Sequence, residues 1–593
     1  MQRRILWLLF LIAAAAADIV IFRGGALVAR AKSEISAEVR IAVLEKEQSV
    51  LPLNDELYRL LGKAHFEAGS DRMGDLAVRD AHFQAAQAAM LRSLRLNPLS
   101  AAGHFELAQG LEFFRLVGIP GDRRPVDEYF AAARLGLQNP EILDASGRLL
   151  LSQWSTLDEG EKRLTRGILR TTLAGRGEDA LLAVLDTWAL HVGDYEVIKS
   201  VLPAEASVYR RYALFLAERS LDRGERIDAL VRAETLDFEK ARAAAAAGRS
   251  ELQAFKLKES EAHFRRGRDL LEGLRFYQSL AGKEAIDPVE FKSLRNAVSL
   301  GLIQTRLETA RSLDEILPEA LRFLEEEEGS PGIGDLERWL KSRRLIDERL
   351  DASGKDLRRL AFEMRLSFQQ NRYREVTEAG QTLEGGILMV PDAAKKDYAA
   401  VLELVGDAYL KLDYLYESSA FYQKARTAFA GGLGLLYKLR RNYERLNDND
   451  GLRAVDREIQ AGAGAQTIEW NRIVAARGTA FAQTLFLDGG EIGLEFRVAA
   501  EKGSGLRPYA AIYFNGRVVW DDFLPETGPL RLDLSPRLGS NRLEILPLNQ
   551  PLTLIGLDIR PVLDPGPEDD SKKKGTAEAG TPARDRRDAA LDT

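Results

Sequence analysis

The sequence contains no cysteine, and it carries none of the common catalytic motifs. A chain without cysteine cannot form disulfides, thiolate metal sites or cysteine nucleophiles, and it cannot carry the lipid of a bacterial lipoprotein anchor. The sequence also has no phosphate-binding lysine loop, no His-Glu-x-x-His motif, no nucleophile elbow and no dinucleotide-binding glycine fingerprint. We therefore expect a protein that is not an enzyme and that uses no cofactor.

The sequence also has few histidines and no excess of basic over acidic residues. The 593 residues include only five histidines, and the formal net charge is −7. The histidines lie in predicted helices without the spacing of metal ligands, so we expect each one to be packed or solvated. The mixed charge excludes the basic footprint of a nucleic-acid-binding protein. The histidines are His65, His82, His104, His191 and His263.

A long apolar run lies near the N-terminus, where residues 5–22 follow Arg3 and Arg4. A run of about 18 residues is at the short end of what spans a bilayer. Residues 1–23 are therefore predicted to be a membrane anchor or, alternatively, a signal sequence cleaved after Ala17. Basic residues flank the run on both sides, so the positive-inside rule does not decide the orientation. We expect a single-pass inner-membrane protein with its bulk on the periplasmic, extracytoplasmic side.

Residues 35–460 are rich in alanine, leucine, arginine and glutamate, with apolar residues at three- and four-residue spacing. Leu57 and Leu61, for example, fall on one stripe of a helix, and this spacing predicts amphipathic helices. Pro98 and Pro140 each follow such a segment, and proline is expected to stop a helix because it supplies no N–H. The region is therefore predicted to be all-α.

Small and aromatic residues recur at fixed positions in the segment 402–429 and near the N-terminus. One predicted helix carries a glycine and then an aromatic residue, and the next carries a small, an aromatic and a second small residue. Tyr443 then follows Tyr409 by 34 residues. These positions resemble the tetratricopeptide repeat family, which implies an α-solenoid of helix pairs with a groove for an extended partner. The implied repeat-packing residues are Gly62, Gly406, Tyr409, Ser418, Tyr422, Ala425 and Tyr443.

Residues 150–390 match that repeat pattern poorly, although their apolar spacing still predicts pairs of helices. We interpret this stretch as a degenerate continuation of the TPR-like solenoid. The alternative is an unrelated helical bundle. The distinction matters for function because only a solenoid offers a long groove for an extended partner.

Beyond the predicted linker 461–466, apolar residues alternate with polar ones, as at Leu494 and Phe496. A period of two is typical of antiparallel strands with one buried face. About seven or eight short strands in residues 467–563 fit an antiparallel β-sandwich of the jelly-roll kind. Residues 564–593 contain almost no large apolar side chain, so we expect that tail to be disordered.

Asn515-Gly516 is the dipeptide that best suits a two-residue type I′ hairpin turn. If the face that carries Ile512 is buried, Tyr509, Tyr513 and Trp520 form an exposed aromatic platform of the kind that stacks on sugar rings. Alternatively, Tyr513 and Trp520 simply belong to the core. The turn predicts the pairs Phe514–Arg517, Tyr513–Val518, Ile512–Val519 and Ala511–Trp520.

The order of a strand entering a glycine-rich turn, the Asn-Gly hairpin and a later turn-Asn-strand segment resembles carbohydrate-binding-module-like sandwiches of bacterial envelope and polysaccharide proteins. This resemblance implies glycan binding by the three aromatic residues. Some members of that family hold calcium through loop carboxylates. The candidates here are Asp488, Glu491, Asp521 and Asp522, although we expect solvated carboxylates and no metal.

The sequence thus predicts a multidomain α + β protein with an N-terminal membrane helix, an α-solenoid of TPR-like helix pairs and a C-terminal β-sandwich. We expect a non-enzymatic, membrane-anchored scaffold in cell-envelope or surface-polysaccharide assembly or export. Its groove would bind protein partners, and its sandwich would bind a glycan or a second protein. The alternatives are a glycan-active enzyme with its site in the degenerate helical region and a purely structural subunit of an envelope complex.

Overall fold

The structure, a computed structural model, describes most of the chain between Ser36 and Pro561. The described residues are 36–49, 51–119, 121–326, 330–347, 350, 357–387, 392–428, 433–460, 466–488, 491–500, 507–525, 529–536 and 538–561. The predicted membrane segment, the tail and nearly all of the predicted linker lie outside them. Within these ranges, no helix is both long enough and apolar enough to cross a membrane.

The described residues as far as Gln460 are mainly helical. The first ten are α1 Ala37–Gln48, α2 Asp55–Asp71, α3 Leu76–Leu96, α4 Ala101–Leu116, α5 Pro125–Leu135, α6 Pro140–Ser152, α7 Glu159–His191, α8 Tyr195–Lys199, α9 Ala206–Glu218 and α10 Arg223–Gln253. They are followed by α11 Leu257–Glu272, α12 Gln278–Ala281, α13 Pro288–Leu307, α14 Leu317–Glu326, α15 Gly332–Ser342, α16 Leu357–Gln369, α17 Tyr373–Ile387, α18 Asp392–Lys411, α19 Leu415–Ala428, α20 Leu433–Leu446 and α21 Asn449–Gln460.

The chain divides into two compact units. The first ends at Ala241 and also includes Phe276–Asp287. The second comprises Arg242–Arg275 and the chain from Pro288 onward. This division falls inside the long helix α10, where no change of composition predicts it.

Polar caps show where the helices of the first unit begin. The side chain of Asn54 accepts a hydrogen bond of 3.0 Å from the backbone N–H of Leu57, which satisfies a donor that the helix leaves free. Pro140 is the first residue of α6, and the preceding helix already ends at Leu135. The prediction that Pro140 stops a helix is therefore wrong. Proline suits the first position because the N–H that it lacks has no partner there.

Consecutive helices of the first unit pack in pairs: α2 with α3, α4 with α5, and α6 with α7. Short connections make such neighbours antiparallel. The glycines at the contacts allow this close approach. A Cβ at Gly62 would lie 2.7 Å from Cγ of Met90, and one at Gly147 would lie 3.1 Å from Cδ2 of Leu169. The predicted helix pairs are therefore present in this unit.

The second unit contains the helix pair that the sequence shows most clearly. Gly406 on α18 faces α19, where a Cβ would lie 2.5 Å from the ring of Tyr422. Ser418, Tyr422 and Ala425 are fully buried. Small residues thus sit where the two backbones approach, and the aromatic ring fills the space between them, as the TPR resemblance implies.

The C-terminal domain is a sandwich of two four-stranded antiparallel sheets. The strands are β1 Gln466–Ala475, β2 Phe481–Asp488, β3 Ile492–Ala500, β4 Tyr509–Phe514, β5 Arg517–Phe523, β6 Leu530–Leu534, β7 Leu538–Pro547 and β8 Leu552–Pro561. One sheet has the order β1-β8-β3-β6 and the other β2-β7-β4-β5, so the chain alternates between sheets as in a jelly roll. Alternate residues such as Leu494, Phe496 and Ile512 form the core between the sheets.

Candidate interaction surfaces

The first helices of successive pairs, α2, α4 and α6, are joined by polar contacts. The Arg59 guanidinium donates to Glu56 at 2.6 Å and also to Glu106 on the next pair. Further along, the side chain of Gln153, just after α6, donates to Glu112 on α4. Burial raises the pKa of Glu106, and the charge of Arg59 opposes that rise. One ion pair, between Arg59 and Glu106, and one amide–carboxylate hydrogen bond, between Gln153 and Glu112, thus connect successive pairs.

One concavity of the first unit lies at a break in α7. Gly177 there has φ 63° and ψ −156°, a conformation that favours glycine and interrupts the helix. The resulting opening has a volume of about 540 Å³. Its walls include the apolar side chains of Leu173, Leu181, Val208 and Leu214. We call this opening the Gly177 groove.

Charged residues line the rim of the Gly177 groove. Glu178 and Glu205 both lie there and are exposed. The Nε of Arg211 lies 2.8 Å from a carboxylate oxygen of Glu178, so these two residues form an ion pair across the opening. An apolar floor with a mixed-charge rim suits an apolar side chain in a polar segment more than a highly charged small molecule.

In the second unit, equivalent tyrosines on successive pairs make the same contact. The Gln381 side chain donates to the hydroxyl of Tyr409 at 3.3 Å, and the Gln423 side chain donates to that of Tyr443 at 2.5 Å. Each tyrosine belongs to the first helix of a pair, and each glutamine belongs to the second helix of the preceding pair. The 34-residue spacing of the tyrosines therefore corresponds to a repeated structural contact.

A partly buried ionic network links α18, α19 and α20. The Lys438 ammonium donates to Glu403 at 2.6 Å and to Asp407 at 2.8 Å, and the Tyr422 hydroxyl donates to Asp407 at 2.6 Å. Burial raises the pKa of Glu403, and Lys438 opposes that rise. Burial lowers the pKa of Lys438, but the two carboxylates outweigh it and hold the pKa above its usual value. The network fixes three helices relative to one another.

One repeat in the region that looks degenerate was not recognised from the sequence. Phe264 on α11 is fully buried between Gly248 of α10 and Gly301 of α13, where added Cβ atoms would lie 3.1 Å and 2.3 Å from its ring. The signal was present, because Ser260, Phe264 and Gly267 have the same spacing as the small, aromatic and small residues of α19.

The hairpin at the Asn-Gly turn forms, but its register differs from the prediction. Asn515 and Gly516 have φ values of 50° and 79°, as a type I′ turn requires. The pairs nearest the turn are as predicted. A bulge then leaves Val519 unpaired, and Trp520 lies opposite Ile512. The predicted pairs Ile512–Val519 and Ala511–Trp520 are therefore wrong, because one extra residue shifts the alternation of faces.

The three aromatic residues of the predicted platform do not share an exposed face. Tyr509 is 1% exposed, and its hydroxyl donates to Asp521 at 2.7 Å. Tyr513 is 8% exposed, with the Arg275 guanidinium 5.2 Å from its ring centre. Trp520 is half-buried against the sandwich core. The expectation of an aromatic platform in water is therefore corrected.

Arg275, at the end of the α11 segment, holds the hairpin. Its carbonyl accepts a hydrogen bond of 2.8 Å from the N–H of Val518, and its guanidinium donates to the carbonyl of Gly516 at 3.2 Å. The guanidinium also lies 3.6 Å from a carboxylate oxygen of Glu544. The contact between Arg275 and Gly516 spans 241 positions of sequence. No local pattern marks Arg275, so the sequence could not have predicted its role.

The calcium candidates whose side chains the structure describes, Glu491, Asp521 and Asp522, do not form a metal cluster. Asp521 is buried against Tyr509, whereas Asp522 accepts from the backbone N–H of Phe523 at 2.7 Å. As neighbours on β5, the two carboxylates point to opposite faces. Glu491 is exposed, and the side chain of Asp488 is not among those described. In the part of the chain that the structure describes, no three His, Asp or Glu side chains converge as metal ligands.

His104, His65 and His82 each contact another ionisable side chain. Nδ1 of His104 lies 2.5 Å from a carboxylate oxygen of Glu128, and its Nε2 lies 3.0 Å from the carbonyl of Pro98. The hydrogen bond to Glu128 raises the pKa of His104. In contrast, burial together with the nearby His82 lowers the pKa of His65. The pKa values of His104 and His65 are therefore shifted in opposite directions.

No family model and no curated protein matches this sequence. Among solved structures, the chain is similar to the APC/C hetero-tetramer Cut9-Hcn1 at 13% identity, covering 74% of this chain and 93% of that chain with a TM-score of 0.20. It is similar to Naa15/Naa10 bound to HypK-THB at 14% identity, covering 75% of this chain and 64% of that one with a TM-score of 0.21. The P58(IPK) TPR domain gives 13% identity, 68% and 98% coverage and a TM-score of 0.15. Because these TM-scores are low, the assignment of helix pairs rests on the contacts described above.

Proposed function

We propose that this chain is a non-enzymatic scaffold that holds protein partners on its helix pairs. The observation that carries the proposal is the repeated packing of helix pairs through glycine contacts, seen at Gly62 and Gly147 in the first unit and at Gly406 in the second. Tandem helix pairs of this kind bury their apolar residues against neighbouring pairs and leave extended polar surfaces for recognition.

The Gly177 groove is the part of the first unit that best suits an anchoring side chain. Its apolar walls offer a desolvated site, and its rim of paired charges offers hydrogen bonds to a polar backbone. Binding energy in protein interfaces concentrates in such pockets. We infer that a partner inserts an apolar residue here and extends along the neighbouring helices.

The β-sandwich serves, in this proposal, as a rigid head attached to the helical array. Support comes from Arg275, which covers Tyr513 and bonds to the turn at Gly516. A sheet face engaged in this way is not free to stack on sugar rings. We therefore favour a protein-docking role for the sandwich over glycan binding by its hairpin aromatics.

We further propose an envelope location, with the apolar N-terminal run at the inner membrane and the rest outside the cytoplasm. Surface-polysaccharide assembly or export remains the process that the sequence resemblance favours. Protease added to spheroplasts should then digest the sandwich. Survival of the sandwich under conditions that digest a known periplasmic protein would contradict this orientation.

The scaffold proposal is tested by site-specific photo-crosslinking in the full chain, in the cells that produce it. A crosslinking residue at Leu214, in the groove wall, should give a defined adduct with a partner protein. The same residue at Leu190, which is 78% exposed elsewhere on the same unit, should not. Val208→Asp should abolish the Leu214 adduct because it places a charge in the apolar groove.

Either of two results with the crosslinking residue in the otherwise unchanged chain would contradict partner binding at the groove. One is the absence of any adduct at Leu214 while the protein is folded and abundant. The other is the same set of adducts at Leu190 and Leu214, which would indicate random collision. A folded Val208→Asp variant that keeps the Leu214 adduct would place the binding site elsewhere.

A further inference from the structure

The rings of His65 and His82 meet across the first helix pair. His65 is on α2 and is 8% exposed, whereas His82 is on α3 and is half-buried. Their Nδ1 atoms lie 3.1 Å apart, and the ring centres are 5.4 Å apart with a 41° angle between the planes. One N–H···N hydrogen bond accounts for this approach, since only one of the two facing nitrogens needs to carry a proton.

The same geometry is close to that of two histidines bound to one metal ion. Zn–N bonds of about 2.0–2.1 Å at a tetrahedral angle place two ligand nitrogens about 3.3 Å apart. The observed separation of 3.1 Å is within a few tenths of an ångström of that value. An ion could therefore replace the shared proton with only small movements of the rings and none of the helices.

Glu45 lies near the other ring nitrogen of His65. One of its carboxylate oxygens lies 3.8 Å from Nε2 of His65, on the side of the ring that faces away from His82. Histidines that bind metal usually direct the other ring nitrogen to a carboxylate, which fixes the tautomer and leaves the first nitrogen as a lone pair.

We propose that His65 and His82 form a two-nitrogen site for a borderline divalent transition-metal ion such as Zn²⁺. Both Nδ1 atoms bind the ion, and Glu45, whose carboxylate lies 3.8 Å from Nε2 of His65, accepts a hydrogen bond from that nitrogen once its side chain moves closer. No third His, Asp or Glu ligand converges there among the described residues, so water fills the remaining positions from the side of half-buried His82. Imidazole selects Zn²⁺, Cu²⁺ and Ni²⁺ over Mg²⁺ and Ca²⁺, which prefer oxygen ligands. The bound ion links α2 to α3.

The test uses the full chain without a histidine tag. Zn²⁺ should raise the melting temperature of the first unit in a saturable way, by about 5–10 °C at a hundredfold excess over the dissociation constant. Mg²⁺ should have no such effect. The rise should be lost in His82→Gln and retained in His191→Gln, because His191 is exposed at the end of α7.

A spectroscopic measurement keeps the proposal testable even if a histidine variant fails to fold. Electron paramagnetic resonance of Cu²⁺ bound to the wild-type chain should show coupling to at least two nitrogens at one ion per chain. A spectrum with oxygen coupling alone would overturn the proposal. So would an equal Zn²⁺ shift in wild type and folded His82→Gln, or a wild-type chain that shows no Zn²⁺ shift at all.

Discussion

Phe264 packs between two glycines. We therefore predict that removing its ring reverses the sign of the effect that Gly301→Ala has on the free energy of unfolding. Phe264 is fully buried, and an added Cβ at Gly301 would lie 2.3 Å from its ring. Gly301→Ala in the wild-type chain should therefore force the ring to move and cost about 1–3 kcal/mol of the free energy of unfolding. Alanine is otherwise the better helix former, by about 0.5–1 kcal/mol.

Removing the ring should reverse that effect. Phe264→Ala alone should cost about 3–5 kcal/mol, because a large buried aromatic side chain is lost. The cost should fall at the upper end, since neither Gly248 nor Gly301 has a side chain to fill the cavity. With the ring absent, Gly301→Ala should stabilise the protein, so the coupling between the two changes should reach about 1.5–4 kcal/mol.

The assay is native-state hydrogen exchange of peptides from α11 and α13, which reports the local free energy of opening. Gly167→Ala is a matched control, because Gly167 lies in α7 with no neighbouring atom within 4 Å of an added Cβ. That change should stabilise its own helix by about 0.5–1 kcal/mol whatever residue occupies position 264. If Gly301→Ala has the same sign with and without the Phe264 ring, the described packing is wrong.

Three further predictions follow from single contacts. Arg275→Ala should speed hydrogen exchange in the hairpin and cost about 1–2 kcal/mol, since its guanidinium bonds to the turn. Arg531→Ala, at a side chain that is 75% exposed, should leave exchange unchanged. The hydrogen bond to Glu128 raises the pKa of His104. The stabilisation that the protonated His104 contributes is therefore complete below the ordinary pKa of 6.5 and is lost as pH rises through the raised pKa. The melting temperature of wild type should fall relative to that of His104→Gln over that pH range. Lys438→Met should cost about 1–3 kcal/mol by leaving two carboxylates without their cation, and protonation at low pH should recover part of it; a variant as stable as wild type at neutral pH would refute this.

The repeat pattern could be predicted where small residues are essential to local packing. Gly406 and Tyr422 occupy neighbouring helices joined by a short turn, so their spacing along the sequence reflects their contact in space. The same spacing occurs at Ser260 and Phe264. It is harder to detect there because the preceding helix, α10, is long and no residue pattern marks where the helix pair begins. A search for the second helix of each pair alone would have found it.

The candidate surfaces were less predictable than the helices. The Gly177 groove depends on one backbone conformation within a helix that is continuous in its apolar pattern. The register of the hairpin depends on a bulge at Val519. No residue type at that position predicts a bulge. The covering of Tyr513 depends on Arg275, more than two hundred positions earlier in the chain.

The sequence by itself determined the helical and strand regions, the close contacts at Gly62 and Gly406 and the type of its Asn-Gly turn, because each depends on residues that lie near one another along the chain. Only the tertiary structure decided which faces are exposed, where Arg275 lies and how His65 approaches His82. Those outcomes depend on packing between distant segments, and alternating or helical periodicity specifies that a face is apolar or polar without specifying what covers it.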